Sequence, residues 1–171
     1  MAKKISLREY QESVVAKLQS SLASPTATAS KLGLMIGNEH WLVELQDASE
    51  VVSVPEMADV PLTHSWFRGV ANVRGNLYSV VDLPAFFGGE LSLFTSSSRL
   101  LLLNSRFISN SAVLVTKMLG LRNLQQMQKL GKSADAKPWL AERLQDADGT
   151  IWNVLDVAAL SADPHFLQIA A

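Results

Sequence analysis

The chain has 171 residues, 48% of them hydrophobic and 18% charged, with 15 Lys and Arg against 16 Asp and Glu and no cysteine. That apolar content excludes disorder for most of its length, since disorder needs low hydrophobicity and high net charge. A formal charge of −1 gives no basic face for nucleic acid or anionic lipid, and the missing thiols exclude disulfide frameworks, thiolate zinc sites and cysteine catalysis.

In chain order, Leu7, Tyr10, Val14, Leu18 and Leu22 recur at spacings of three and four between charged residues. That spacing predicts an amphipathic helix over residues 5–22. The small residues around Pro25 then read as a linker up to residue 30. Charges interrupt the N-terminus before any signal-peptide run can develop, and no apolar stretch approaches the ~18 residues of a membrane span. The expectation is a soluble cytoplasmic protein with no direct membrane insertion.

From Lys31 the period changes to two. Leu32, Leu34 and Ile36 alternate, then Gly37-Asn38-Glu39, then Trp41, Val43 and Leu45, which predicts a hairpin. Short apolar runs follow at residues 51–54, 67–73, 77–83, 100–103, 112–115 and 119–124, and a polar loop over 131–138 precedes a last strand-like run from Trp139. Residues 121–127 fit either strand or a helical turn. Many short strands between turns mean a mainly β barrel or sandwich.

An internal echo refines this reading. Residues 75–85 and 149–159 align without gaps as Gly-x-aliphatic-aromatic-x-Val-aliphatic-Asp-aliphatic-x-Ala, and a looser match sets 41–52 beside 112–124. A unit of this size seen twice is a duplicated small domain, because solenoids need three or more repeats. Two related β-barrels are expected.

Catalytic patterns are lacking. His40, His64 and His165 stand far apart with no second ligand at helical spacing, and neither a nucleophile elbow nor a phosphate loop is present. Asp82 and Asp156 hold matching places in the echo, which fits turn capping better than a catalytic carboxylate pair.

One hairpin is read in more detail. With Gly75-Asn76 as a two-residue II′ turn, Arg74 faces Leu77, Val73 faces Tyr78 and Asn72 faces Ser79. Alternation puts Ala71, Val73, Tyr78 and Val80 on a core face. Val70, Asn72, Arg74, Leu77, Ser79 and Val81 share the other. That second face suits a partner surface, with aliphatic area for affinity and an arginine for orientation. Equally, Arg74 fits a solvated hairpin end.

The run Phe67-Arg68-Gly69-Val70-Ala71-Asn72-Val73-Arg74-Gly75, followed by Val80-Val81-Asp82-Leu83 and Phe86-Phe87-Gly88, resembles the signature of the CheW-like domain. The likeness extends upstream to residues 48–52, downstream to 112–121, and covers roughly residues 31–160. Residues 120–124, Trp139, Trp152 and the tail 164–170 look most like the PilI branch, the adaptors of type IV pilus chemosensory systems. Family members usually carry Pro where this chain has Ser79, and often Asp where it has Thr116-Lys117.

The resemblance implies a mainly β fold of two SH3-like five-stranded β-barrel subdomains sharing a core, spanning 31–160, with the N-terminal helix and linker at 1–30 and a tail at 161–171. It implies a non-enzymatic adaptor without cofactor or metal. The partners would be the cytoplasmic tip of a methyl-accepting chemoreceptor and the regulatory domain of a CheA-type histidine kinase, bound through Gly69, Val70, Asn72, Arg74, Gly75 and Leu77. A flagellar chemotaxis adaptor of the same family is the nearest alternative. A nucleic-acid-binding small barrel, stacking bases on Trp41, Trp66 and Tyr78, is a more distant one.

Overall fold

Alternating apolar residues separated by turn-formers produce twelve strands, which a computed structural model arranges in two sheets; it describes residues 30–171. The helix expected over 5–22 lies outside the described residues. In chain order the strands are β1 (Ser30–Ile36), β2 (Glu39–Val43), β3 (Ala48–Ser53), β4 (Met57–Ala58), β5 (Phe67–Val73), β6 (Asn76–Asp82), β7 (Arg99–Leu103), β8 (Ser111–Val115), β9 (Lys117–Asn123), β10 (Gln128–Lys129), β11 (Leu140–Gln145) and β12 (Ile151–Leu155). Three short α-helices, α1 (Leu83–Phe86), α2 (Val157–Ala162) and α3 (Pro164–Leu167), and two 3-10 turns complete the described fold. Residues 121–127 turn out to be both things their sequence allowed, the end of β9 followed by a 3-10 turn over Leu124–Gln126.

The first sheet runs β10-β11-β12-β2-β1-β9 and the second β4-β5-β6-β8-β7-β3. Position by position the two orders correspond. Each is built around a parallel pair, β12 with β2 and β6 with β8, flanked by antiparallel hairpins. Each sheet has six strands where five were expected. The additional one is the two-residue β4 or β10. The chain also crosses over: β3 leaves the first hairpin to pair with β7, and β9 leaves β8 to lie beside β1. The looser echo between 41–52 and 112–124 is this crossing made twice.

Burial follows from the strand period. In β8 every residue is buried, but to two different destinations. Ala112 and Leu114 join Leu100, Leu102, Ala71 and Val80 in a core inside the second sheet. Val113 and Val115 join Leu101, Leu103, Leu34, Trp41, Val43, Leu155 and Leu160 in a core between the sheets. A third core, of Leu42, Leu144, Trp152 and Val154, fills the first sheet. Two subdomains thus share their largest core.

The echo aspartates take identical local jobs. Asp82 caps α1 by accepting from the Ala85 N–H at 3.3 Å, and Asp156 caps α2 through the Ala159 N–H at 2.9 Å. Beyond that they diverge. Asp82, fully buried, also accepts from Arg68 Nη1 at 3.0 Å, from the Ser92 N–H at 2.8 Å and from Ser92 Oγ at 2.8 Å.

Candidate functional site

The β5–β6 hairpin carries all six residues implied by the family signature. Its turn is Arg74-Gly75, with φ of 52° and 86°, and the pairs are Val73 with Asn76, Asn72 with Leu77, Ala71 with Tyr78 and Val70 with Ser79. The register expected from a Gly75-Asn76 turn is therefore corrected by two residues. Two consecutive left-handed residues make a type I′ turn in place of the expected II′. A shift of two preserves the face of every strand residue, so Ala71, Val73, Tyr78 and Val80 still point into the inner core. Arg74 moves from the strand to the turn.

At the tip, Asn72 Oδ1 accepts from the Gly75 N–H at 2.8 Å, which holds the turn closed. Arg74 reaches to β3, its Nη1 donating to Glu50 Oε2 at 2.8 Å and its Nη2 lying 2.5 Å from Glu50 Oε1. β3 stands three strands from β6 in the sheet order, about 14 Å away if the sheet were flat. The bidentate pair therefore forms because the sheet curls. Both partners stay accessible, at 73% of the Arg74 side chain and 36% of Glu50. Leu77, paired with Asn72, is 60% exposed.

The six residues do not form one patch. Asn72, Arg74, Gly75 and Leu77 lie together at the exposed tip, with half-buried Val70 farther down the same face. Gly69 is buried. It sits beside a bulge between Phe67 and Gly69, at φ 109°, and a Cβ there would fall 2.1 Å from the Ala58 carbonyl oxygen. Its lack of a side chain admits β4, and its influence on the tip runs through the strand. Glu50 was not singled out from sequence. Only the curl of the sheet brings it to Arg74, and no local pattern encodes that.

Elsewhere two of the tryptophans are structural. Trp41 and Trp66 are buried, and their rings pack on Phe87 at 5.0 Å and Phe86 at 5.1 Å. They are unavailable for stacking bases, which leaves the nucleic-acid reading only the half-buried Tyr78. The histidines are less scattered than their spacing implied: the His64 and His165 rings lie 5.6 Å apart beside Trp66. Among the described residues no group of three or more His, Asp or Glu is placed to hold a metal ion. Likewise no helix among them is long and apolar enough to cross a membrane.

The β11–β12 hairpin repeats the exposed tip in a different key. Ile151, the echo of Leu77, is exposed, while Asp146 organises the turn by accepting from the Asp148 and Thr150 N–H groups at 3.0 Å and from Trp152 Nε1 at 2.9 Å. The Trp152 hydrogen bond, foremost, and the turn amides hold the Asp146 carboxyl below its usual range.

A family model described as the CheW-like domain matches residues 31–165. The chain belongs to the CheW-like domain family. Within that family it is 35% identical, over 72 residues, to Protein PilI of Pseudomonas aeruginosa. The match covers 42% of this chain and 40% of that relative, so it spans less than half of either. The fold is also that of the scaffolding protein TtCheW from Thermoanaerobacter tengcongensis, with a TM-score of 0.64 at 15% identity over 75% of this chain and 88% of that one. This CheW-like domain thus has the two-subdomain β architecture that its duplicated sequence implied.

Proposed function

We propose that this CheW-like protein is a non-enzymatic adaptor that couples a methyl-accepting chemoreceptor to a CheA-type histidine kinase in a type IV pilus system. It would reach membrane receptor arrays through those partners. It would act by binding the kinase's active and inactive arrangements with different affinity, since equal affinity shifts no equilibrium. Family membership and the likeness to PilI support the class. The observation that carries the site is Arg74: a long cationic side chain at a left-handed turn position, exposed, pre-aimed by Glu50 and flanked by exposed Leu77. A turn alone would favour Asn, Asp or Gly there.

Arg74→Glu is the test. Reversing a central interface arginine should weaken binding to the receptor tip or the kinase regulatory domain by about 2 kcal/mol or more. Its ion pair is exposed, so the melt should change by no more than about 1 kcal/mol in stability. Unchanged affinity for both partners with an unchanged melt would remove the tip from the binding surface.

A further inference from the structure

Leu34, Trp41, Asn153 and Arg143 stand opposite one another across β1, β2, β12 and β11, and directly opposed residues share a face. Leu34 and Trp41 belong to the core between the sheets. Asn153 and Arg143 therefore continue its floor outward, and the row changes from apolar to polar. A cleft of 510 Å³ opens there, bounded by Phe87 after α1, by Trp139 before β11 and by the polar loop through Asp135 and Lys137. Phe87 packs between Trp41 at 5.0 Å and Trp139 at 5.6 Å, its plane only 5° from that of Trp139. The exposed His165 ring, stacked on Phe86 at 5.2 Å, completes an aromatic wall.

The arginine on this floor differs from the others. Arg68, Arg74 and Arg106 pair with Asp82, Glu50 and Asp47, while Arg99 and Arg122 donate to backbone carbonyls. Among the described residues the half-buried Arg143 guanidinium has neither an ion pair nor a hydrogen bond. Lys137, on the loop above, also has no ion pair among them. Of the carboxylates that line the cleft, Glu39 already accepts from Trp41 Nε1 at 3.2 Å, and Asp135 stands on the exposed loop. A planar fork of five N–H donors matches a carboxylate bidentately. An aromatic wall with a few convergent polar groups, in a cleft of this volume, is the make-up of a small-molecule site.

We propose that this cleft binds a small aromatic carboxylate. Its ring packs on the wall of Phe87 and Trp139, its carboxylate meets Arg143 with the Asn153 amide beside it, and Lys137 adds positive charge from the loop. The seven residues of β6 span about 23 Å and separate α1 from the Arg74 turn, so this site is distinct from the hairpin tip. It stands whether or not the chain couples a receptor to a kinase.

The test uses the full chain, uniformly labelled with nitrogen-15 and titrated with indole-3-acetate. Tryptamine, with the same ring and the opposite charge, and cyclohexylacetate, with the same charge and no aromatic ring, are the comparisons. Amide shifts from indole-3-acetate should concentrate at residues 86–88, 135–143 and 153 and saturate with a Kd at or below about 1 mM. Both comparison compounds should bind roughly tenfold more weakly or worse. Arg143→Gln should weaken indole-3-acetate roughly tenfold and flatten its salt dependence. Lys137→Gln, at an exposed loop position, should weaken it about twofold to threefold and serves as the second variant if Arg143→Gln lowers the melt. The proposal is overturned if indole-3-acetate shows no saturable binding by about 10 mM, if tryptamine binds equally well, or if the shifts map elsewhere. Wild-type affinity in Arg143→Gln with an unchanged melt also overturns it.

Discussion

Replacing Arg74 by Asn separates a stabilising arginine from a functional one. Arg74 holds φ 52°, and a side chain with a Cβ in that region costs about 1 kcal/mol that Asn largely avoids. Against this relief stands the bidentate pair with Glu50. Its partners are 73% and 36% exposed, so solvent screening limits the pair to between about 0.2 and 1 kcal/mol. The net change in stability is therefore between about zero and 1 kcal/mol in favour of Arg74→Asn. Urea unfolding should show an unchanged slope and an equal or higher midpoint. Affinity for receptor or kinase should fall in the same sample. A double-mutant cycle with Glu50→Gln should return a coupling energy below about 1 kcal/mol. A loss of stability above about 1 kcal/mol on Arg74→Asn would show that the arginine is held for the fold, and the reasoning from turn strain to function would fail.

Other positions give equally direct outcomes. Gly69→Ala should cost about 3 kcal/mol or more, because its Cβ would sit 2.1 Å from the Ala58 oxygen; hydrogen exchange at Met57 and Ala58 should accelerate as β4 is displaced. Asp82→Ala should cost about 3–5 kcal/mol by leaving Arg68 half-buried without its carboxylate, whereas Asp156→Ala, which removes only a cap, should cost about 1 kcal/mol; equal losses by chemical denaturation would contradict the difference in their partners. The lowered pKa of Asp146 stabilises the fold above the usual carboxylate value, a contribution lost as pH falls through that value toward the lower native one. The difference in melting temperature between the wild-type protein and Asp146→Asn should accordingly be largest near neutrality and shrink below pH ~4.

Much of this architecture was legible because duplication writes the same constraint twice. Gly75 and Gly149 share a left-handed backbone, at φ 86° and 85°, and Asp82 and Asp156 cap the next helical turn in each copy. Period-two alternation places Ala71 and Val80 in the core even though the turn lies one residue earlier than expected, since the pairing then slips by two residues and an even slip leaves faces intact. What escaped was contact across distance. The ion pair of Glu50 with Arg74, the grip of Asp82 on Ser92 and the approach of His64 to His165 all arise from how the sheets curl and meet. A local pattern carries no record of that geometry.

The two crossings of the chain have a consequence for assembly. The second sheet is made wholly of β3–β8, contiguous between Ala48 and Val115. The first sheet is split around that stretch, and its central parallel pair joins Trp152 to His40. In effect one subdomain is inserted into the other. During synthesis the inserted subdomain has all its strands once Val115 has emerged, while β1 and β2 must wait for β12 near the end of the chain. Closure of the first sheet is a high-contact-order event, slow for that reason. Until it happens, Leu101, Leu103, Val113 and Val115 have only part of the shared core to cover them. The interval before β12 arrives is when this protein is most open to aggregation, and when a chaperone would find the most apolar surface to hold.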